Sequence, residues 1–204
     1  MVELYIVRHG ETDTNYTGKI NGSATDLDLN QTGQKQVNYL KEHMDIDIKD
    51  FDEIYSSPLK RAQQTAEILN QGVHKIKTDD RLREINYGSW DGLSAAEMIA
   101  RHPDGFDENG YIEEGYVKYA QDGETYQSVY QRVQSFLDDM AKKGDEKIMV
   151  VCHGFITRSF VKLITQTPDI TDIWEPDNAS ATKLKLSKSG HNFLVYYGRL
   201  SNIR

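Results

Sequence analysis

Apolar residues along this chain fall into two alternating regimes: short unbroken runs, and longer stretches in which they return every third or fourth position. An unbroken run bounded by turn residues suits a buried strand, and the 3.6-residue spacing suits one face of a helix. The run 2–7, with Val2, Leu4, Tyr5, Ile6 and Val7, predicts a strand that ends in a loop at Arg8, His9 and Gly10. A loop to about Leu29 follows, then a helix over 31–44 marked by Val37, Leu40 and Met44. Residues 51–55 predict a second strand. Ser56, Ser57 and Pro58 read as the next helix start, because a hydroxyl side chain caps and proline at the first helical position loses no needed N–H. That helix carries Leu59, Ala62, Ala66 and Leu69 on one face and stops near Gly72.

Residues 73–78 predict a third strand, and 94–101 a helix beyond the loop at 84–92. No period is legible over 103–123. A helix over 125–143 is marked by Val129, Val133, Phe136, Leu137 and Met140, with Gly144 as its stop. The most apolar strand spans 147–152 and leads into a helix over 155–165. Two runs at 182–186 and 193–197, separated by Ser189 and Gly190, predict a terminal hairpin. Strands alternating with helices imply an α/β fold of the three-layer sandwich type: a mostly parallel sheet with an antiparallel edge strand and helices on both faces.

Composition narrows the function classes. The 204 residues are 38 % hydrophobic and suit one compact domain. With 24 Lys and Arg against 32 Asp and Glu the net charge is −8, so the surface as a whole repels polyanions and membrane faces, and nucleic acid is not an expected partner. The start of the chain enters a strand pattern without a basic region and long apolar segment, and no run approaches the roughly 20 apolar residues of a membrane span. A cytoplasmic location is expected. The single Cys152 closes the run of Ile148, Met149, Val150 and Val151, where it reads as a small buried hydrophobe. Oligomeric state is not readable.

In an open α/β sheet, ligands bind beyond the carboxyl ends of the strands, where loops lead into helix N-termini. Three such ends carry unusual residues: Arg8, His9 and Gly10; Ser56, Ser57 and Pro58 with Arg61 a turn later; and His153 with Gly154. A lone histidine at a strand end is more often structural than catalytic, and an arginine in a first helical turn is usually solvated. Three ends with compatible chemistry point instead to one anion site, aided by the free N–H groups of the helix starts.

Residues 7–15, reading VRHGETDTN, resemble the signature of the histidine phosphatase superfamily, whose members include cofactor-dependent phosphoglycerate mutases and many small phosphatases. The likeness continues through Asn21 and Gly22 in KINGSATDLDLNQTGQKQ, SSPLKRAQQTA around Arg61, LREINYGSWDG around Glu84, GETYQSVYQRV at 123–133 and VVCHGFITRSF around His153. The resemblance implies one histidine phosphatase domain over 1–204, with 94–127 inserted as a helical and loop cap. It implies a phosphomonoesterase that needs no cofactor and acts on a small phosphorylated substrate. His9 is then the nucleophile, and Arg8, Arg61 and His153 hold the phosphoryl oxygens with help from Asn15. Glu84 is the matching proton donor, later the base that activates water. Asn21, Gly22, Tyr87, Gly154 and Phe155 fall on the substrate side of the same motifs. His9 must attack as neutral imidazole, so a backbone carbonyl near Gly10 is expected to hold its other nitrogen as N–H. Glu84 must be partly desolvated to stay protonated near neutral pH.

No metal site is expected: cationic neighbours of His9 and His153 disfavour a divalent ion, and the loop lacks an HxH or CxxC pattern. Two alternatives remain, a mutase-type phosphotransferase and a silent phosphate-binding or interaction protein. Against the mutase stand Ala95 in place of a lysine, Phe155 in place of the asparagine after HG, and no paired arginines over 103–121. Between 103 and 127 lie Asp104, Asp107, Glu108, Glu113, Glu114, Asp122 and Glu124 against a single Lys118. The plainer reading is a solvated, acidic surface helix; the resemblance instead puts this segment over the active-site mouth, where its carboxylates would disfavour a second phosphate and favour a substrate remainder that is neutral, aromatic or cationic.

Overall fold

Alternation along two strands organises the molecule. The computed structural model describes residues 1–200. In β1 (Val2–Arg8), Leu4 and Ile6 point to one face of the sheet while Tyr5 and Val7 point to the other. Its neighbour β4 (Lys147–Cys152) divides likewise, with Ile148, Val150 and Cys152 against Met149 and Val151. A strand apolar on both faces must be covered on both. On one side α5 (Tyr126–Ala141) brings Val129, Val133 and Phe136, and α6 (Gly154–Thr165) brings Ile156 and Phe160. On the other side α2 (Gln31–His43) brings Val37 and Leu40, and α3 (Lys60–Asn70) brings Ala62, Ala66 and Leu69. The result is the three-layer α/β sandwich that the pattern predicts.

Among the described residues six strands lie in the order β3-β2-β4-β1-β5-β6, with β2 at Glu53–Ser56, β3 at Ile76–Thr78, β5 at Ala181–Leu186 and β6 at Phe193–Arg199. The first four run parallel; β5 and β6 complete the sheet as antiparallel strands. Two short helices, α1 (Asp13–Tyr16) and α4 (Ala95–Arg101), lie in the loops beyond the strand ends. Among the described residues no helix is long and apolar enough to cross a membrane.

Local differences from the expected elements have physical causes. Pro58 does not occupy the first helical position: α3 starts at Lys60, and the Ser57 hydroxyl faces His153 Nε2 at 2.7 Å. The strand expected from residue 73 starts only at Ile76, because Asn70 bridges its side chain to both backbone groups of His74 and holds the intervening residues as a turn. The segment 103–123 has no period because rings rather than a helical stripe hold it. Trp90 stacks on Phe106 and Tyr119, around single 3-10 turns at Pro103–Gly105 and Glu114–Lys118.

One close approach seats the loop after β1. A Cβ on Gly10 would lie 2.6 Å from the carbonyl oxygen of Gly33, and a Cβ on Gly33 would lie 2.2 Å from that of Glu11. Helix α2 therefore rests directly on the backbone that carries His9. We expect Gly33→Ala to force the two apart at about 1–3 kcal/mol, the usual penalty for overpacking. At roughly 2–4 °C per kcal/mol for a domain of this size, thermal unfolding followed by circular dichroism should show the loss. An unchanged melting temperature would mean that the loop does not depend on α2.

Candidate active site

The carboxyl ends of β2, β4 and β1 are adjacent, so the loops after them open at one place. The registers place Arg8 beside Cys152 and Ser56 beside Val151. One residue further on, His9 N–H donates to the Cys152 carbonyl at 3.0 Å and Ser57 N–H donates to that of Val151 at 2.9 Å. The three ends thus deliver His9, His153 and Ser57 together.

His9 is buried, with its two ring nitrogens differently engaged. Nδ1 lies 2.7 Å from the Gly10 carbonyl oxygen, and Arg61 Nε donates to Nε2 at 3.1 Å. A carbonyl only accepts and a guanidinium only donates, so the proton sits on Nδ1 and Nε2 keeps its lone pair. Burial first, then the charges of Arg61 and Arg8, hold the His9 pKa well below the ordinary histidine value. The carbonyl expected near Gly10 is that of Gly10 itself.

Arg61 is fully buried, and among the described residues no carboxylate forms an ion pair with it. Its Nη1 donates to the Thr25 carbonyl and its Nη2 to that of Gly22 at 3.1 Å. Those carbonyls are fixed in turn by Asp91, which accepts from Gly22 N–H at 2.9 Å, Ala24 N–H at 2.8 Å and the Thr25 hydroxyl. His153 meets His9 edge-on, with ring centroids 5.1 Å apart. Its Nδ1 is buried without a hydrogen-bond partner among the described residues, and burial together with Arg61 depresses its pKa strongly. Arg8 pairs with Glu175 at 2.6 Å and donates to the Pro176 carbonyl, leaving its Nε buried and unpartnered.

Glu84 accepts from Ile85 N–H at 3.0 Å and from Phe155 N–H, in the first turn of α6, at 3.3 Å. Those donors and Arg61 favour the carboxylate, but burial outweighs them and pushes the pKa up to about 7. The loop that carries Glu84 is gripped from α5 by Arg132. Its guanidinium donates to the carbonyls of Arg81, Arg83 and Glu84 and is paired with Glu124.

These groups surround a cavity of about 210 Å³. Arg8, His9, Asn15, Asn21 and Glu84 line one end; Tyr87, Phe106, Tyr111, Tyr126 and Phe155 form walls. Arg61 and His153 stand behind His9, outside this lining. Neither Gly22 nor Gly154 lines the cavity. Gly22 gives its carbonyl to Arg61, and the space beside Gly154 is filled by the Arg8–Glu175 pair, with Glu175 Oε1 only 2.6 Å from where a Cβ would be.

A model of the histidine phosphatase superfamily (branch 1) matches residues 4–198. The chain belongs to that superfamily. Phosphoserine phosphatase 1 of Hydrogenobacter thermophilus is 33 % identical over 197 residues, covering 92 % of this chain and 88 % of that protein. The metal-independent phosphoserine phosphatase of Arabidopsis thaliana is 31 % identical over 170 residues, 81 % of this chain and 70 % of its own. Among solved structures, YhfR of Bacillus stearothermophilus superposes with a TM-score of 0.86 over the full length of both chains at 26 % identity. The phosphoserine phosphatase of Entamoeba histolytica, in complex with 3-phosphoglyceric acid, gives 0.77 at 28 % identity over 96 % of each. This histidine phosphatase is a phosphoryl-transfer enzyme of the phosphatase type, and its His and Arg cluster stands where the motifs put it.

The structure corrects one expectation about its mouth. None of the acidic residues between 103 and 127 lines the cavity. Asp104 accepts from the Tyr119 hydroxyl, Asp107 closes its own turn by accepting from Asn109 and Tyr111 N–H, and Glu124 pairs with Arg132. The charges that do reach the cavity beyond the His9 end are Lys19, Arg158 and Glu175, which sequence reasoning did not single out. Asp91 and Arg132 lay inside recognised motif stretches and were findable there; Glu175, in the loop before β5, carried no such signal.

The Glu84 environment has a thermodynamic consequence. Below about pH 4.5 the carboxyl is protonated folded and unfolded; between 4.5 and about 7 only the unfolded chain ionises it, so this group's contribution to stability falls as pH rises through that window. Relative to Glu84→Gln, the wild-type protein should therefore lose up to roughly 3 kcal/mol between pH 4.5 and 7 and then level off. Urea unfolding of both proteins across this range measures it. A gap independent of pH would show that Glu84 ionises as an ordinary carboxyl.

Proposed function

We propose that this enzyme hydrolyses a small phosphomonoester by two in-line transfers through His9. The carrying observation is the fixed tautomer of His9, with Nε2 unprotonated and turned toward the buried Arg61 guanidinium. A phosphoryl oxygen that takes over the Arg61 Nε–H frees that lone pair to attack phosphorus. The P–Nε2 bond forms as the bond to the ester oxygen breaks, and Glu84 gives its proton to the departing oxygen. Water then attacks the phosphohistidine, Glu84 takes the water's proton, and inorganic phosphate leaves. Arg8, Arg61 and His153 carry the negative charge spread over the phosphoryl oxygens, with Asn15 and Asn21 at the cavity end.

The size of the cavity supports a small substrate, being below the roughly 300–1,000 Å³ typical of pockets for drug-sized ligands. Residues 94–127 act as the cap in this reading, since Ala95, Phe106, Tyr111 and Tyr126 line the cavity from that segment. The names of the Hydrogenobacter and Arabidopsis relatives favour a phosphorylated amino acid. We place the enzyme in the cytoplasm, where a chain with one free, buried cysteine and no internal disulfide is at home.

His9→Ala should abolish turnover of a chromogenic aryl phosphate, and rapid quench of the wild-type protein with a labelled substrate should trap acid-labile, base-stable phosphate on His9. Label on a serine or on Cys152, or full activity without His9, would overturn the mechanism.

A further inference from the structure

Among the described residues two arginines are buried, Arg61 and Arg158, and neither has an ion pair. Removing a guanidinium from water without a counter-charge is costly even where neutral partners hold it, and it leaves most of the charge available to an anion. Arg61 has that explanation in the phosphoryl group. Arg158 lies on α6 and lines the same cavity as His9, with a relative exposure of 4 %.

Its orientation is fixed by neutral partners. Nη2 donates to the Ile170 carbonyl at 2.6 Å, and the guanidinium lies 4.5 Å above the centre of the Tyr111 ring. Among the described residues Nε is covered and unpartnered, and Nη1 is the one nitrogen of the group with neither a partner nor full cover. Two neighbouring carboxylates hydrogen-bond or pair with other groups. Glu175, which shares the cavity, pairs with Arg8, and Asp169 accepts from the Thr171 N–H and hydroxyl at 2.9 Å each.

We propose that Arg158 is a specificity-determining residue that receives a carboxylate on the substrate, so that the enzyme prefers phosphomonoesters bearing a carboxylate close to the ester. This rests on the phosphatase reading above. A carboxylate suits the site better than a second phosphate for two reasons: one open nitrogen of one guanidinium suits a monoanion, and the Glu175 carboxylate in the same small cavity disfavours a dianion.

The test compares kcat/KM for O-phosphoserine and O-phosphoethanolamine, which differ only in the carboxylate, and repeats the comparison with 3-phosphoglycerate and glycerol 3-phosphate. The wild-type enzyme should favour the carboxylate-bearing member of each pair at least tenfold. Arg158→Gln should lower that ratio tenfold or more, chiefly through KM, and Arg158→Lys should restore part of it. If Arg158→Gln lacks a melting transition, the ratio in Arg158→Lys decides. 2,3-Bisphosphoglycerate should be a poorer substrate than 3-phosphoglycerate. A wild-type ratio near one, a ratio unmoved by the variants, or a preferred bisphosphate would overturn the assignment. Those outcomes leave aryl phosphate turnover and the His9 label in place, whereas failure of the phosphatase reading removes both.

Discussion

A fully buried guanidinium satisfied by two carbonyl oxygens and an imidazole lone pair is the constraint on which this site depends. Taking a charged group from water costs several kcal/mol even after relaxation, and Arg61 recovers it through hydrogen bonds rather than an ion pair. A carboxylate in contact with Arg61 would cancel the field that an incoming phosphoryl group needs. Carbonyl dipoles hold the group in place and leave most of its charge uncompensated. The surrounding loop is built to keep them there, since Asp91 fixes the backbone of Gly22, Ala24 and Thr25 by three hydrogen bonds. From the same constraint follows the state of His9, whose Nε2 accepts from Arg61 and is kept neutral by burial and by two cations.

The sheet makes this arrangement inexpensive to maintain. Three parallel strands end side by side, so His9, Ser57 and His153 need no long excursions to meet. Layers on both faces then lock each contributor. Helix α2 presses on the His9 loop at Gly10 and Gly33, α3 carries Arg61, α6 begins at His153, and α5 grips the Glu84 loop through Arg132. Glu84 sits where opposing terms nearly balance. Burial raises its pKa while two N–H donors and Arg61 lower it, which leaves a carboxyl able to lose and regain a proton near neutral pH.

Legibility in the sequence followed the range of the interactions involved. Elements whose apolar residues meet the sheet directly, such as β1, β4 and α5, were readable from period alone, because burial on a sheet face imposes that period. The grouping of His9, Arg61 and His153 was readable because these residues stand at or just after strand ends inside recognisable motifs. Ser57 was read as a helix cap, yet its hydroxyl serves His153 across 96 positions of sequence, a contact that no local rule supplies. The segment 103–123 escaped for a related reason: it is held by ring stacking on Trp90, which leaves no period. Its carboxylates were expected at the mouth, and the fold turns them to Tyr119, to a local turn and to Arg132. Arg158 became visible only once burial and the lack of a counter-ion were known together.

The protonation state of His9 tests the central claim most directly. In protein carrying ¹⁵N-labelled histidine, the His9 signals can be assigned among the six histidines by their loss in His9→Gln. Between about pH 5 and about pH 8 they should show a protonated Nδ1, a bare Nε2 and no titration. A His9 that titrates near the ordinary value of 6.5, or that carries its proton on Nε2, would contradict the buried, Arg61-bound imidazole described above.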